Sequence, residues 1–330
     1  MPMFSVIIVN YNGGDYIQRA LDSLARQTCQ DFEVFLIDNA STDGSIDNLE
    51  TGSLPAFKLM PQDDNLGFAE GNNIAAKCAG GTWLALLNPD AEAESDWLET
   101  IEDGITRHPG VNMFASTQYD MHNPELLDGV GDAYLIFGFP WRGGFGHPVS
   151  ALPVEGTCFS PCGAGAIYKR DTFLEHGGFD ERFFCYCEDV DLGFRMRLSG
   201  ETCVFLNTAV IHHAGSALSG RSSDFSIYHG TRNRLWVYAK NMPALLLMLT
   251  LPGHIVLSAY LLARAAMSGR TPKTWSGMRD GLAGLSSIRK ASPWSPPKRR
   301  TSLWSLARSM AWNPFYMSSR APHVRQQKRR

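Results

Sequence analysis

Acidic residues all but vanish from the last part of the chain. Residues 240–330 hold one, Asp280, against 16 Lys and Arg, whereas residues 1–239 hold 32 Asp and Glu against 14 Lys and Arg. The two segments carry +15 and −18, so the net charge of −3 conceals a basic tail on an acidic body. Such asymmetry directs the tail to an anionic surface, either acidic lipid or nucleic acid. No nucleic-acid recognition motif accompanies the charges, so lipid is the expected partner and nucleic acid is not. A secretory leader is also missing: MPMFSVIIVN has no charged region ahead of its apolar run and no cleavage site. The seven cysteines are an odd number, which argues against a complete disulfide framework and for a reduced, cytosolic compartment. Cys158, Cys162, Cys185 and Cys187 form a CxxxC and a CxC, which is not a common zinc spacing, so packed thiols are expected there. Internal repeats and long low-complexity runs are absent. What remains is a globular chain of one or two domains, 330 residues long and 44% hydrophobic.

Against these absences stands a regular alternation of strands and helices. Apolar runs predict strands at 4–10, 32–38, 57–62, 82–88 and 111–117. Between them lie helical patterns: Ile17, Leu21 and Leu24 share one face, STDGSIDNL can start a short helix, and SDWLETIEDGITRH offers Ser95 as an N-cap. This order calls for an α/β fold, a mostly parallel central sheet with helices on both faces. Residues 118–161, rich in Gly, Pro and aromatics, read as loop. A further strand and helix follow at 162–181, a helix at 188–200 and a strand at 202–207.

Two of the strands deliver carboxylates. FEVFLID ends on Asp38, and WLALLNPDAE cuts an apolar run with Asn-Pro and places Asp90 directly after it. One acid at a strand end is ordinary turn chemistry. Carboxyl ends of parallel strands share one edge, where open α/β sheets bind ligands, so two such acids can face one crevice. Glu188, Asp189 and Asp191 add more negative charge from a helix. Asp191, Arg195 and Arg197 are spaced to orient that helix through pairs one turn apart.

The segments SVIIVNYN, IDNASTDGS, NLGFAEGNN, LLNPDAE, GGFDERFFCYCEDVDLGFRMRLSG and IYHGTRNRLWVYAKNMP follow one another over residues 4–243. In that order they resemble the family 2 glycosyltransferases, most closely the bacterial rhamnosyltransferase branch. The resemblance implies the GT-A fold and inverting transfer of a sugar from a nucleoside diphosphate sugar, dTDP-rhamnose or a UDP-sugar, to a hydroxyl of a lipid-linked saccharide or surface polysaccharide. It also assigns roles. Val9, Asn10, Tyr11 and Asn12 correspond to the edge that cups the nucleotide, and Asp38 to the acid that accepts from the pyrimidine N3–H. Asn65, Gly67, Gly71 and Asn72 correspond to the stretch along the nucleoside. Asp90 matches the last acid of the DxD motif that holds Mg²⁺ or Mn²⁺, although Asn88 stands where the first Asp would be. His212 or His213 matches the downstream histidine of the metal site. Asp189 matches the catalytic base, and Glu188 beside it is expected to raise its pKa by repulsion. Arg232 and Asn233 match a motif to which the sequence gives no role.

Residues 1–240 form the expected glycosyltransferase domain and 241–330 an apolar hairpin with a basic amphipathic tail. ALLLMLTLPGHIVLSAYLLA (244–263) has spanning length but is interrupted at Pro252-Gly253. A single crossing would strand the basic tail outside, against the positive-inside rule. A re-entrant or interfacial hairpin on the cytoplasmic face of the inner (plasma) membrane is therefore expected, with SPPKRRTSLWSLARSMAWNPFY alternating basic and aromatic residues as interfacial segments do. Two other readings compete. A sugar nucleotidyltransferase needs a Gly-rich, Arg-containing loop after the first strand, which NYNGGDYIQ does not supply. An inactive scaffold would lose its acids, yet Asp38, Asp90 and Asp189 are all present.

Overall fold

Alternate residues of the first strand serve two different cores. In the computed structural model, which describes residues 1–215, 223–290 and 300–326, β1 (Phe4–Asn10) is buried along its whole length. Phe4, Val6 and Ile8 pack on one side with α1 (Tyr16–Ala25) and α3 (Trp97–Arg107). Ile7 and Val9 pack on the other with α2 (Gly67–Cys78). A run apolar at every position is what a strand covered on both faces requires. The expected strands appear as β2 (Phe32–Asp38), β3 (Phe57–Pro61), β4 (Trp83–Leu86) and β6 (Met113–Asp120). The helix over 97–107 starts after Asp96 rather than Ser95, and STDGSIDNL forms turns.

The sheet is mixed, and its longest ladders are parallel. β3, β2, β1 and β4 run parallel in that order. β11 (Ala166–Lys169) lies antiparallel between β4 and β6, and β12 (Cys203–His213) runs parallel to β6 on its far side. The register sets Asn10 beside Asp38 and His213 beside Asp120, so both halves present their carboxyl ends to one edge. β5 (Ala91–Ala93), just after Asp90, pairs with the end of β12.

Residues 118–161 are not loop. They hold the end of β6, then β7 (Leu127–Gly129), the hairpin of β8 (Asp132–Leu135) and β9 (Phe139–Arg142), and β10 (Gly156–Cys158). These strands are three or four residues long and separated by glycine turns, too short for a period of two to register in the sequence.

The remaining helices are α4 (Arg170–Glu175), α5 (Glu188–Leu198), α6 (Asp224–Asn241), α7 (Ala244–Met267), α8 (Thr271–Ala283), α9 (Leu285–Lys290), α10 (Leu303–Ser309) and α11 (Pro314–Ser319). The expected hairpin at 244–263 is instead one helix of 24 residues with Pro252 inside it. Proline removes one backbone donor, and the exposed turn before it keeps its carbonyl accessible, so the helix continues. On one stripe Leu246, Thr250, His254 and Leu257 are buried; His254 stacks on Tyr238 with centroids 4.0 Å apart and its Nδ1 lies 2.9 Å from the Phe137 carbonyl oxygen. The other stripe, with Met248, Leu249, Ile255 and Val256, is exposed.

One apolar cluster crosses the boundary expected at residue 240. Tyr134, Phe159 and Phe194 pack with Trp236, Leu246, Ile288, Leu306 and Met310. The chain end is also tied to the body by backbone bonds, Ala311 N–H to the Tyr134 carbonyl at 2.8 Å and Arg325 N–H to the Thr157 carbonyl at 2.8 Å. Residues 295–299 and 327–330 of the basic tail lie outside the described residues. Met310 is fully buried, so Met310→Ala should destabilise the protein by about 2–5 kcal/mol in a denaturant titration. A chain cut after Lys240 should fail to accumulate in soluble form, because it exposes the whole of that cluster.

Candidate functional site

A cavity of about 1150 Å³ opens where the strand ends meet α5, α6 and α7, and Asp90, Asp132, Glu188, Asp189 and His213 all line it. On the sheet side, Asn88-Pro89-Asp90 leaves β4 in a turn fixed by the Ala91 N–H, which donates to the Asn88 carbonyl at 3.1 Å. Asp90 is buried, and its Oδ1 lies 3.2 Å from His213 Nε2. Asn88 Nδ2 is 3.2 Å from the same nitrogen. Asp128 Oδ2 lies 2.7 Å from His213 Nδ1 and pairs with Arg142. Burial would lower the His213 pKa, but the Asp90 and Asp128 carboxylates outweigh it and raise it to about 9.

The tandem histidines separate by strand alternation. His213 points into this cluster. His212, one residue earlier on β12, faces the other way and bonds Glu94 Oε1 at 2.6 Å, so it does not join the metal-binding group expected from sequence.

On the opposite wall, Asp189 Oδ2 accepts from the Gly163 N–H at 2.8 Å and Oδ1 from the Val190 N–H at 2.7 Å. Burial raises its pKa, partly offset by these two donors and by Arg142. Repulsion falls on the neighbour instead. Burial and then the Asp189 charge hold Glu188 well above the usual carboxylate range, and the same two causes act on Asp132. The expectation that Glu188 lifts Asp189 is thus reversed, because Asp189 has the backbone donors and Glu188 Oε2 has no partner. Asp132, Asp128 and Arg142 were not legible in the sequence, since all three sit in the stretch that read as loop.

The turn that launches α5 is unusual. Phe184, Tyr186 and Cys187 have φ of 65°, 72° and 68°, a left-handed region that non-glycine residues avoid. Asn233, fully buried on α6, holds that turn. Its Nδ2 faces the carbonyls of Phe183, Cys185 and Tyr186 at 3.0, 2.9 and 2.7 Å, and Arg232 donates to the Phe183 carbonyl at 3.0 Å. The Arg-Asn pair thereby gains a role: it positions the segment that carries Glu188 and Asp189.

The expected nucleotide-binding residues divide. Val9, Tyr11, Asn65 and Gly67 line the cavity, joined by Asn39 and Phe68. Asn10, Asn12, Asp38, Gly71 and Asn72 do not. Asp38 is buried and accepts from Asn10 Nδ2 at 2.9 Å and from Ser41 Oγ and N at 2.6 and 3.1 Å, so both its oxygens brace the turn. Asn12 ties that turn down, donating to Ser41 Oγ at 2.9 Å and accepting from the Thr42 N–H at 2.8 Å. Asn72 donates to the Phe68 carbonyl within α2 at 2.8 Å. Gly71 serves helix-on-sheet packing rather than close approach of a ligand, since a Cβ there would sit 2.8 Å from Val9.

A divalent cation fits the sheet-side cluster. The Asp90 carboxylate and the buried, unpartnered Asn88 Oδ1 are donors of the right kind, and the His213 imidazole becomes one when a cation displaces its Nε2 proton. Among the described residues no group of three or more His, Cys, Asp or Glu side chains forms a complete cage, so the remaining ligands would come from water and substrate. The cysteines do not assemble a zinc site: Cys158 Sγ bonds Cys203 Sγ at 3.3 Å, and all seven are free thiols.

Comparison with known proteins agrees with the fold. The Glycosyl transferase family 2 profile matches residues 5–175. The N-acetylglucosaminyl-diphospho-decaprenol L-rhamnosyltransferase of Mycobacterium tuberculosis is 28% identical over 294 residues, covering 79% of this chain and 93% of its own length. Among solved structures, the Pyrobaculum calidifontis mannosyltransferase PcManGT in complex with GDP-Man and Mn²⁺ has a TM-score of 0.55 at 19% identity, covering 88% of both chains. S. aureus TarS 1–349 in complex with UDP-GlcNAc gives 0.55 at 17% identity, covering 86% of this chain and 82% of its own.

Asp132 supplies a test of the site's electrostatics. Its folded-state pKa lies above the ordinary 3.8, so the folded protein binds that proton more tightly than the unfolded chain. Its contribution to stability is complete below 3.8 and is lost as pH rises toward the folded-state value. Asp132→Asn removes that dependence. The variant's Tm should match the wild type near about pH 4 and exceed it increasingly toward about pH 7.

Proposed function

We propose, from the premise that this chain belongs to glycosyl transferase family 2, that it moves a sugar from a nucleoside diphosphate to a hydroxyl of a lipid-linked saccharide, with inversion. It is a glycosyltransferase of the GT-A fold and of the rhamnosyltransferase-like branch. The observation that carries the finer reading is the single cavity that sets the Asp90 cluster against the Asp189 wall and runs on to α7.

Each wall has a separate task. Tyr11, Asn39 and Asn65 form the nucleotide side, with Asp38 acting through the turn that shapes it. Asp90, His213 and Asn88 would hold Mg²⁺ or Mn²⁺, whose charge neutralises a departing diphosphate. Asp128 accepts from His213 Nδ1–H and so aims the imidazole, the usual arrangement behind a ligating histidine. Asp189 takes the acceptor's hydroxyl proton. Burial raises its pKa, while two backbone N–H groups and Arg142 favour its anion; Glu188 and Asp132 each have an oxygen without a partner and are held well above the ordinary carboxylate range. L-Rhamnose is the proposed donor sugar, with UDP-sugars as the alternative. The support is the mycobacterial relative, whose name also supplies a lipid diphosphate acceptor.

Membrane attachment follows from how α7 is tied. It is long and apolar enough to cross a bilayer, with mean hydropathy 1.9 in its most apolar window. Both of its ends return to the same body, however. α6 precedes it directly, and α8 after it packs back on α6, where Trp236 Nε1 donates to the Gly281 carbonyl at 3.0 Å. A helix held this way lies along the interface with its exposed apolar stripe in lipid. The cytoplasmic face of the plasma membrane is the proposed location, since nucleotide sugars are made there.

A panel of dTDP- and UDP-sugars tested with a polyprenyl diphosphate saccharide and each metal decides the reading. Asp189→Asn should lower kcat by about 10²- to 10⁴-fold while leaving donor binding intact, and Asp90→Asn should nearly abolish transfer. A mild Asp189→Asn beside a crippling Glu188→Gln would move the base by one residue. In sedimentation, the protein should pellet with phosphatidylglycerol vesicles and only partly release in high salt. Met248→Glu combined with Ile255→Glu should prevent pelleting while leaving transfer to a soluble acceptor measurable.

A further inference from the structure

Arg234, on α6, lines the cavity and is 4% exposed. Other buried guanidinium groups have strong acceptors: Arg195 pairs with Asp191 at 2.8 Å, Arg142 with Asp128, and Arg197 with the carbonyls of Cys158 and Phe159. Arg234 has none of comparable strength. Its two terminal nitrogens lie 3.4 and 3.3 Å from one hydroxyl, Ser258 Oγ of α7, and its guanidinium carbon is 5.8 Å from the Phe139 ring. No carboxylate among the described residues pairs with it. Burial lowers its pKa to about 10, which leaves the cation intact at neutral pH. A buried cation without an anion is costly, and a fold that keeps one at a cavity wall leaves room for a ligand to complete the pair.

We propose that Arg234 is the base of an anion subsite that receives the diphosphate of a lipid-linked acceptor. The inference rests on the acceptor class read above. It is favoured over the donor's diphosphate by placement. Arg234 touches Ser258 on the apolar helix and Phe139 of the β8–β9 hairpin, whereas the Asp90 cluster is built on the strand ends. Asp189, Arg234 and, from α7, Leu261 and Ala265 all line this one cavity. A saccharide joined through diphosphate to a polyprenyl chain presents three groups, hydroxyl, diphosphate and hydrocarbon, which these carboxylate, guanidinium and apolar side chains complement. Arg264 and Arg270, both exposed at the mouth, extend positive charge toward the lipid surface.

Two acceptors test this with the full-length protein in detergent. One carries the saccharide on a prenyl diphosphate, and the other carries the same saccharide on a neutral alkyl chain. Arg234→Gln should reduce kcat/KM by about 10- to 100-fold more on the diphosphate acceptor than on the neutral one, the loss expected for charged hydrogen bonds. Arg234→Lys should recover part of that difference. Independently of any transfer, calorimetry with geranyl diphosphate should show weaker binding to both variants than to wild type. Equal losses on the two acceptors would make Arg234 a packing residue and overturn the proposal. A raised donor KM with unchanged acceptor discrimination would assign the guanidinium to the donor and also overturn it. If no donor sugar is transferred, the transferase reading fails while the geranyl diphosphate result still decides the subsite. If Arg234→Gln does not fold, Arg234→Lys compared on the two acceptors decides alone.

Discussion

The left-handed turn from Phe184 to Cys187 is the constraint on which the Asp189 wall of the cavity depends. Non-glycine residues in such backbone cost on the order of 1–3 kcal/mol each, so the segment would relax if left alone. A buried amide from α6 and the N–H of Ala69, 3.1 Å from the Phe184 carbonyl, hold it from two sides. The result is a helix that begins without a side-chain cap and with three acids in its first turn, of which Glu188 and Asp189 line the cavity.

Two residues further along, the same helix shows the opposite electrostatics. Asp189 and Asp191 are about 200° apart around α5, given 3.6 residues per turn. Asp191 faces inward, where burial would raise its pKa but Lys240 and Arg195 lower it. Lys240 also reaches Asp180 at 2.6 Å, so α5, α6 and the loop before α5 share one buried ionic cluster. Neighbouring carboxylates pushed in opposite directions have separable duties, one as anchor and one as reactive group. The anchor spends its charge on lysine and arginine. The other is left facing the cavity.

The sequence made the nucleotide half legible because long buried strands leave unbroken apolar runs, and each such run ends where its acid or amide is displayed. The acceptor half was harder to read. β8 and β9 are four residues each, and their chemistry, Asp132 and Arg142, lies at their ends. The tandem histidines could be told apart only by which face of β12 each occupies. Pro252-Gly253 looked like a break because proline disfavours helix interiors, yet an exposed helix face tolerates one missing bond. Asp38 had the right position for a ligand contact, but its two oxygens already had partners from Asn10 and Ser41. Arg234 carried no signal, since a lone arginine in a helix is ordinary until its surroundings are known.

Gly67 sits at φ +81°, and a Cβ there would lie 2.6 Å from the Phe184 carbonyl oxygen and ring. The first turn of α2, on the nucleotide side, and the strained turn before Asp189, on the acceptor side, therefore touch without slack. The two half-sites behave as one mechanical piece. Anything that pushes on the backbone at Gly67 therefore pushes on the Phe184 carbonyl and on the turn that leads to Asp189. A side chain at 67 would fit only if Phe184 gave way, so the two positions are coupled by direct contact.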